Sequence, residues 1–66
     1  MQIELTARET DVLRLIVEEF TTHEIANQLC ISHHTVESHR KNLIAKTGVK
    51  NIAGLVKYAM EQGIIS

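Results

Sequence analysis

The stretch Thr21-Thr22-His23-Glu24-Ile25-Ala26-Asn27-Gln28-Leu29-Cys30-Ile31-Ser32-His33-His34-Thr35-Val36 holds two helix starts separated by a very short connection. Thr21 followed by Glu24 is a capping box: the hydroxyl accepts from the third helical N–H while the carboxylate reaches back. The helix it opens is short, points Ile25, Ala26 and Leu29 inward, and stops at about Leu29. Only Cys30-Ile31-Ser32 remain before the next helical pattern, and Ser32 is a good N-cap for it. Two helices joined by so short a turn must cross steeply.

Upstream, Thr6-Ala7-Arg8-Glu9 is a second capping box, which starts a helix whose Val12, Leu13, Leu15, Ile16 and Phe20 form one apolar stripe. Its end is expected near Glu19 or Phe20. Downstream, the third helix is expected from His33 to about Thr47, with Gly48 ending it in a left-handed conformation. Asn51 caps a fourth helix that carries Ile52, Leu55, Val56, Ala59 and Met60 on one side and Gly63 just past its end. No segment alternates with period two for long enough to be a strand. The reading is an all-α, four-helix fold in a single domain over residues 1–66, with its core in 5–65.

Composition agrees. A chain of 66 residues has room for one small core. With 44% hydrophobic residues and no Pro, it suits an ordered helical domain better than a disordered tail. Cys30 has no cysteine partner, so a reducing cytosol is the simpler compartment. Met1 to Leu5 lacks a basic start and an apolar run, and Ile64 and Ile65 are far short of a membrane span. A soluble, cytoplasmic protein that does not enter a membrane is therefore expected.

The net charge of −1 conceals a division along the chain. Up to Cys30, Arg8 and Arg14 face Glu4, Glu9, Asp11, Glu18, Glu19 and Glu24, a net of −4. From Ile31 onward, Arg40, Lys41, Lys46, Lys50 and Lys57 face only Glu37 and Glu61, a net of +3. A positive field confined to one segment is the pattern expected where a single element meets phosphate.

At about 100° per residue, Val36, Leu43 and Thr47 mark the buried side of the third helix. The opposite side carries His34, Glu37, Ser38, Lys41, Asn42 and Ala45, all polar or small. This chemistry suits base edges: Lys41 donates to guanine O6 and N7, Glu37 accepts from cytosine N4, and Ser38 does either. Around it lie groups suited to phosphate: His33, His34 and Thr35 near the positive helix start, then Arg40, Asn42, Lys46 and Lys50. Thr21 and Thr22, with the free N–H groups that begin the second helix, suit phosphate as well. The alternative is a solvated helix surface on which Thr21 and Thr22 act only as caps.

The run Leu5-Thr6-x-Arg8-Glu9-x-x-Val12-Leu13-x-Leu15-Ile16, then Glu24-Ile25-Ala26-x-x-Leu29-x-Ile31-Ser32-x-x-Thr35-Val36-x-x-His39-x-x-Asn42-Leu43-x-x-Lys46, resembles the LuxR-type, or GerE-like, helix-turn-helix domain. The resemblance continues through Gly48-Val49-Lys50-Asn51, Leu55, Ala59 and Gly63-Ile64, and covers Leu5 to Ile65. It implies that the third helix enters the major groove of double-stranded DNA, with Glu37, Ser38 and Lys41 against the bases. It also implies a dimerisation surface on the last helix, and a larger regulator, often a two-component response regulator with a receiver domain. Glu18-Glu19-Phe20 departs from the family by standing where a Gly usually ends the first helix, which reshapes that corner and lets Phe20 fill core space. Thr47 replaces a customary Leu. Ile52 replaces a customary Arg and has no charge with which to make the ion pair or phosphate contact of that Arg.

Cys30-x-x-His33, with His34 and His39, raises the question of zinc. His34 and His39 are five residues apart on a helix and diverge, so no tetrahedral set forms and no metal or other cofactor is expected; Cys30 reads as a buried thiol at the turn. No third group or glycine-rich loop accompanies a Cys–His pair, so an enzyme is not expected. On the fourth helix Leu55, Tyr58 and Gln62 edge the apolar arc and are the expected homodimer surface, Tyr58 being large, rigid and amphipathic. The other possibility there is that Leu55 belongs to the intramolecular core. The function expected is sequence-specific DNA binding in a bacterial transcription regulator; the alternative is a helical protein-interaction module of the same fold.

Overall fold

The computed structural model describes residues 4–63. These residues form α1 (Ala7–Val17), α2 (Thr22–Leu29), α3 (His33–Thr47) and α4 (Ile52–Glu61), with no strand among them. Residues 64 and 65 of the expected core lie outside the described residues.

Each helix begins at the cap its sequence announces. The Thr6 hydroxyl accepts from the Glu9 N–H at 3.1 Å while Glu9 Oε1 accepts from the Thr6 N–H at 2.9 Å. Thr21 and Glu24 repeat this reciprocal pair at 3.1 and 2.8 Å. Ser32 Oγ accepts from the Thr35 N–H and Asn51 Oδ1 from the Gly54 N–H, each at 3.0 Å. Every cap satisfies an N–H that has no partner within its helix.

The helix ends are less legible in the sequence. α1 stops at Val17, two or three residues before the expected end, because Glu19 turns left-handed at φ 68°. The Phe20 N–H then reaches the Leu15 carbonyl at 3.0 Å and the Glu19 N–H the Ile16 carbonyl at 2.9 Å. This is a Schellman closure built on glutamate where glycine would be unstrained. Phe20, the residue after it, folds back half-buried against the core, as the departure from the family pattern implied. Cys30 closes α2 in the same way, left-handed at φ 58°, with the Ile31 N–H on the Ala26 carbonyl at 3.0 Å. Cys30 is therefore exposed, contrary to the expected buried thiol: the left-handed turn directs the chain around it and leaves its side chain outside. Gly48 ends α3 at φ 73°, as its position indicated.

The core joins all four helices: Val12, Leu13 and Ile16 of α1, Ile25 and Ala26 of α2, Val36 and Leu43 of α3, Leu55 and Ala59 of α4. α1 packs against the other three, whereas the backbones of α2 and α4 do not come close to each other. α1 and α3 thus form the frame on which the shorter helices rest. Met60, expected on the inward side, is 64% exposed. It sits ~40° past Val56 around the helix, beyond the arc that α1 and α3 cover. Gly54 lies where α4 approaches the preceding loop so closely that a Cβ would stand 2.9 Å from Val49 Cβ.

Candidate nucleic-acid interface

α3 is anchored from below by Val36 and Leu43, both fully buried, with Ile44 packed beside them. The cap at Ser32 and the left-handed Gly48 fix its two ends. On the far side His34, Lys41, Asn42 and Ala45 are exposed, and Glu37 and Ser38 are half-buried. No element of the described chain covers this surface. Lys41 and Lys50 have no acidic side chain within ion-pairing distance among the described residues.

Glu37 is tied across the helix-turn-helix angle. Its Oε1 accepts from the Thr22 hydroxyl at 3.0 Å and lies 3.8 Å from Arg40 Nε. Thr22 begins α2, so this contact joins the start of one helix to the exposed side of the next. A hydroxyl has one proton to donate, and that of Thr22 is committed to Glu37. Thr21 is exposed; its hydroxyl oxygen accepts from the Glu24 N–H, and no acceptor for its proton is found among the described residues. The Thr21 N–H bond holds the Glu24 carboxyl below its ordinary range, so the cap is charged at neutral pH.

The remaining cationic and polar groups divide. His33 and His34 are exposed at the start of α3 and Lys50 is exposed in the loop after it, while Asn42 stands at the edge of the outward face. The Thr35 hydroxyl lies 2.7 Å from that of Ser32, within the cap. Arg40 is half-buried beside Glu37. Lys46 has an internal partner: its Nζ is 2.7 Å from Oε1 of Glu9, whose side chain is only 4% exposed. Burial alone would push the Glu9 carboxyl up, but the Lys46 ammonium and the Thr6 N–H together hold it below its ordinary range. Glu9 therefore serves α1 as a cap and α3 as a counter-ion at once.

On α4, Leu55 has no exposed surface and belongs to the core, which corrects its expected place on a dimer surface. A side chain that fills the space between α4 and α1 is not available to a second chain. Tyr58 is half-buried and lines an open groove with Lys50, Gly54 and Lys57; Gln62 is exposed at the helix end.

Sequence reasoning located the outward face of α3 but missed the two ties, Thr22 to Glu37 and Glu9 to Lys46. The opposite charges of the two halves of the chain were the available signal for the second. Nothing in the pattern marked the first.

Among known proteins, residues 4–59 match the family model GerE, described as bacterial regulatory proteins of the luxR family. The transcriptional regulatory protein MctR of Rhizobium johnstonii is 50% identical over 62 residues, which cover 94% of this chain and 29% of that protein. An uncharacterized response regulatory protein, YgeK of Escherichia coli, is 43% identical over 61 residues, covering 92% of this chain and 42% of that protein. The chain thus spans less than half the length of these relatives. The solved structure of the transcription factor GerE superposes with a TM-score of 0.88 at 35% identity, covering 94% of this chain and 92% of that one.

Proposed function

The chain belongs to the luxR family of bacterial regulatory proteins and is a DNA-binding domain of the GerE type, and from this we propose how it grips its site. α3 lies in the major groove with Glu37, Ser38 and Lys41 against the base edges. The phosphates on either side are met by Thr21 and the free N–H groups of α2, by His33, His34 and Thr35 at the positive start of α3, and by Arg40, Asn42 and Lys50. Thr22 serves there through its N–H, its hydroxyl being engaged by Glu37. Lys46 reaches a phosphate only by leaving Glu9, so its main role is to hold α3 against α1.

The observation that carries this reading is the uncovered outward side of α3, where Lys41 has no counter-ion among the described residues. Two copies bind paired half-sites, meeting through Tyr58 and Gln62 of α4, which places the half-sites about one helical turn apart. The work is recognition and not catalysis. In a longer chain the domain is the output of a cytoplasmic regulator, joined to a receiver or other sensory domain, as the name of the response regulatory relative suggests.

Titration of a fluorescent duplex at several salt concentrations tests the docking. The logarithm of affinity should fall linearly with the logarithm of salt, by ~0.9 per phosphate neutralised. An affinity indifferent to salt would favour a helical protein-interaction module instead.

A further inference from the structure

The two oxygens of Glu37 are used unequally. Oε1 accepts from the Thr22 hydroxyl at 3.0 Å and faces Arg40 Nε at 3.8 Å. Oε2 accepts no hydrogen bond among the described residues, and the side chain is 45% exposed. The carboxylate is thus held by one atom from α2 and one from its own helix, with its second oxygen left to a ligand.

An anion fixed on a groove-facing surface is repelled by phosphate and by base acceptors, and is stabilised there only by a donor. In the major groove the base donors are the N4 amino group of cytosine and the N6 amino group of adenine. Adenine N6 has an acceptor on either side, its own N7 and the O4 of its paired thymine, which face a carboxylate with like partial charge; cytosine N4 has one on one side alone, the O6 of its paired guanine, and C5–H on the other. Guanine and thymine offer acceptors alone at their major-groove edges, apart from the thymine methyl.

We infer that Glu37 makes this domain require cytosine at one fixed position of each half-site, with Thr22 and Arg40 acting as positioning residues that aim its free oxygen. This rests on the docking of α3 in the major groove. A glutamate free in solution would adjust among several bases. Held through Oε1, it meets one.

The test is selection from a random duplex pool, followed by sequencing, with the intact 66-residue chain and with Glu37→Gln, Glu37→Ala and Thr22→Val. Circular dichroism melting confirms that each variant is folded. The wild type should enrich cytosine at one position by ~10-fold or more over the other bases. Glu37→Gln should move that preference to adenine, whose N6 and N7 pair with an amide, and Glu37→Ala should abolish it. Thr22→Val should weaken the preference by about two- to tenfold at that position alone, as expected for loss of one orienting hydrogen bond. The other positions of the selected motif serve as the internal reference. Unchanged cytosine enrichment by Glu37→Ala, or a wild-type motif with no cytosine requirement, would overturn the inference while leaving groove docking intact. Failure of the wild type to retain any duplex would overturn both.

Discussion

Lys46 Nζ stands 2.7 Å from Glu9 Oε1, and the bond joins the first turn of α1 to the last turn of α3. The acceptor is almost entirely buried, whereas the side chain of Lys46 is 38% exposed. The pair lies between the surface regime, where ion pairs contribute ~0–1 kcal/mol, and the buried regime, where breaking one costs ~3–5 kcal/mol. Lys46→Met should accordingly destabilise the domain by about 1–2 kcal/mol. Urea unfolding at pH 7 measures this, and an unchanged midpoint would remove the pair from the account of how α3 is held.

The same pair sets a pH dependence. The folded state holds the Glu9 carboxyl below its ordinary value of 4.5. A depressed carboxyl stabilises the fold fully above the unfolded value, and that contribution disappears as pH falls through the lower folded value. Stability should therefore decline below pH 4.5. In Lys46→Met, Glu9 loses its counter-ion while remaining buried, so acid unfolding followed by circular dichroism should begin at higher pH than in the wild type.

Glu19 adopts φ 68° to close α1. A left-handed conformation costs a non-glycine residue about 1–2 kcal/mol, offset in part by the larger entropy glycine loses on folding. Glu19→Gly should raise stability by ~0.5–1 kcal/mol, and Glu19→Val should lower it, since a branched Cβ fits that region worst. Thermal melting of the three proteins would contradict the strain if the glycine variant were the least stable.

At Gly54 the expectation runs against helix propensity. Replacing an open helical glycine by alanine stabilises by about 1 kcal/mol. A Cβ at Gly54 would stand 2.9 Å from Val49 Cβ, so the loop or α4 must shift. Overpacking of this kind costs ~1–3 kcal/mol, and Gly54→Ala should come out neutral to destabilising. Gly54→Ala combined with Val49→Ala should recover the propensity gain relative to Val49→Ala alone; without that recovery, the close approach is not the cause.

Lys41 and Lys50 separate the two kinds of DNA contact. Lys41→Ala should reduce discrimination between matched and scrambled duplexes by ~1–3 kcal/mol, because it removes a donor to a base edge. Lys50→Ala should weaken both duplexes alike and reduce the salt slope by about one. Equal losses for the two variants would refute the assigned roles.

Local chemistry was readable residue by residue. Thr6, Thr21, Ser32 and Asn51 each cap the helix they announce, since a cap is a contact between residues two or three apart. Helical periodicity identified Val36 and Leu43 as the underside of α3, because a straight helix turns a known angle per residue. These short-range rules were enough for the number, order and starts of the helices, and for the side of α3 that faces outward.

Contacts between residues far apart in sequence were decided by the tertiary structure. Thr22 and Glu37 are fifteen residues apart, and Glu9 and Lys46 thirty-seven. Neither pair follows from any periodicity; each depends on how one helix axis lies across another. The exposure of Met60 and the withdrawal of Leu55 into the core have the same origin, whereas Cys30 turns outward on the local left-handed closure of α2. Residue order alone settles which groups are present and at what angle each leaves its own helix. Packing decided which of them remain free, because a hydroxyl proton or a carboxylate oxygen engaged inside the fold is no longer available to a ligand.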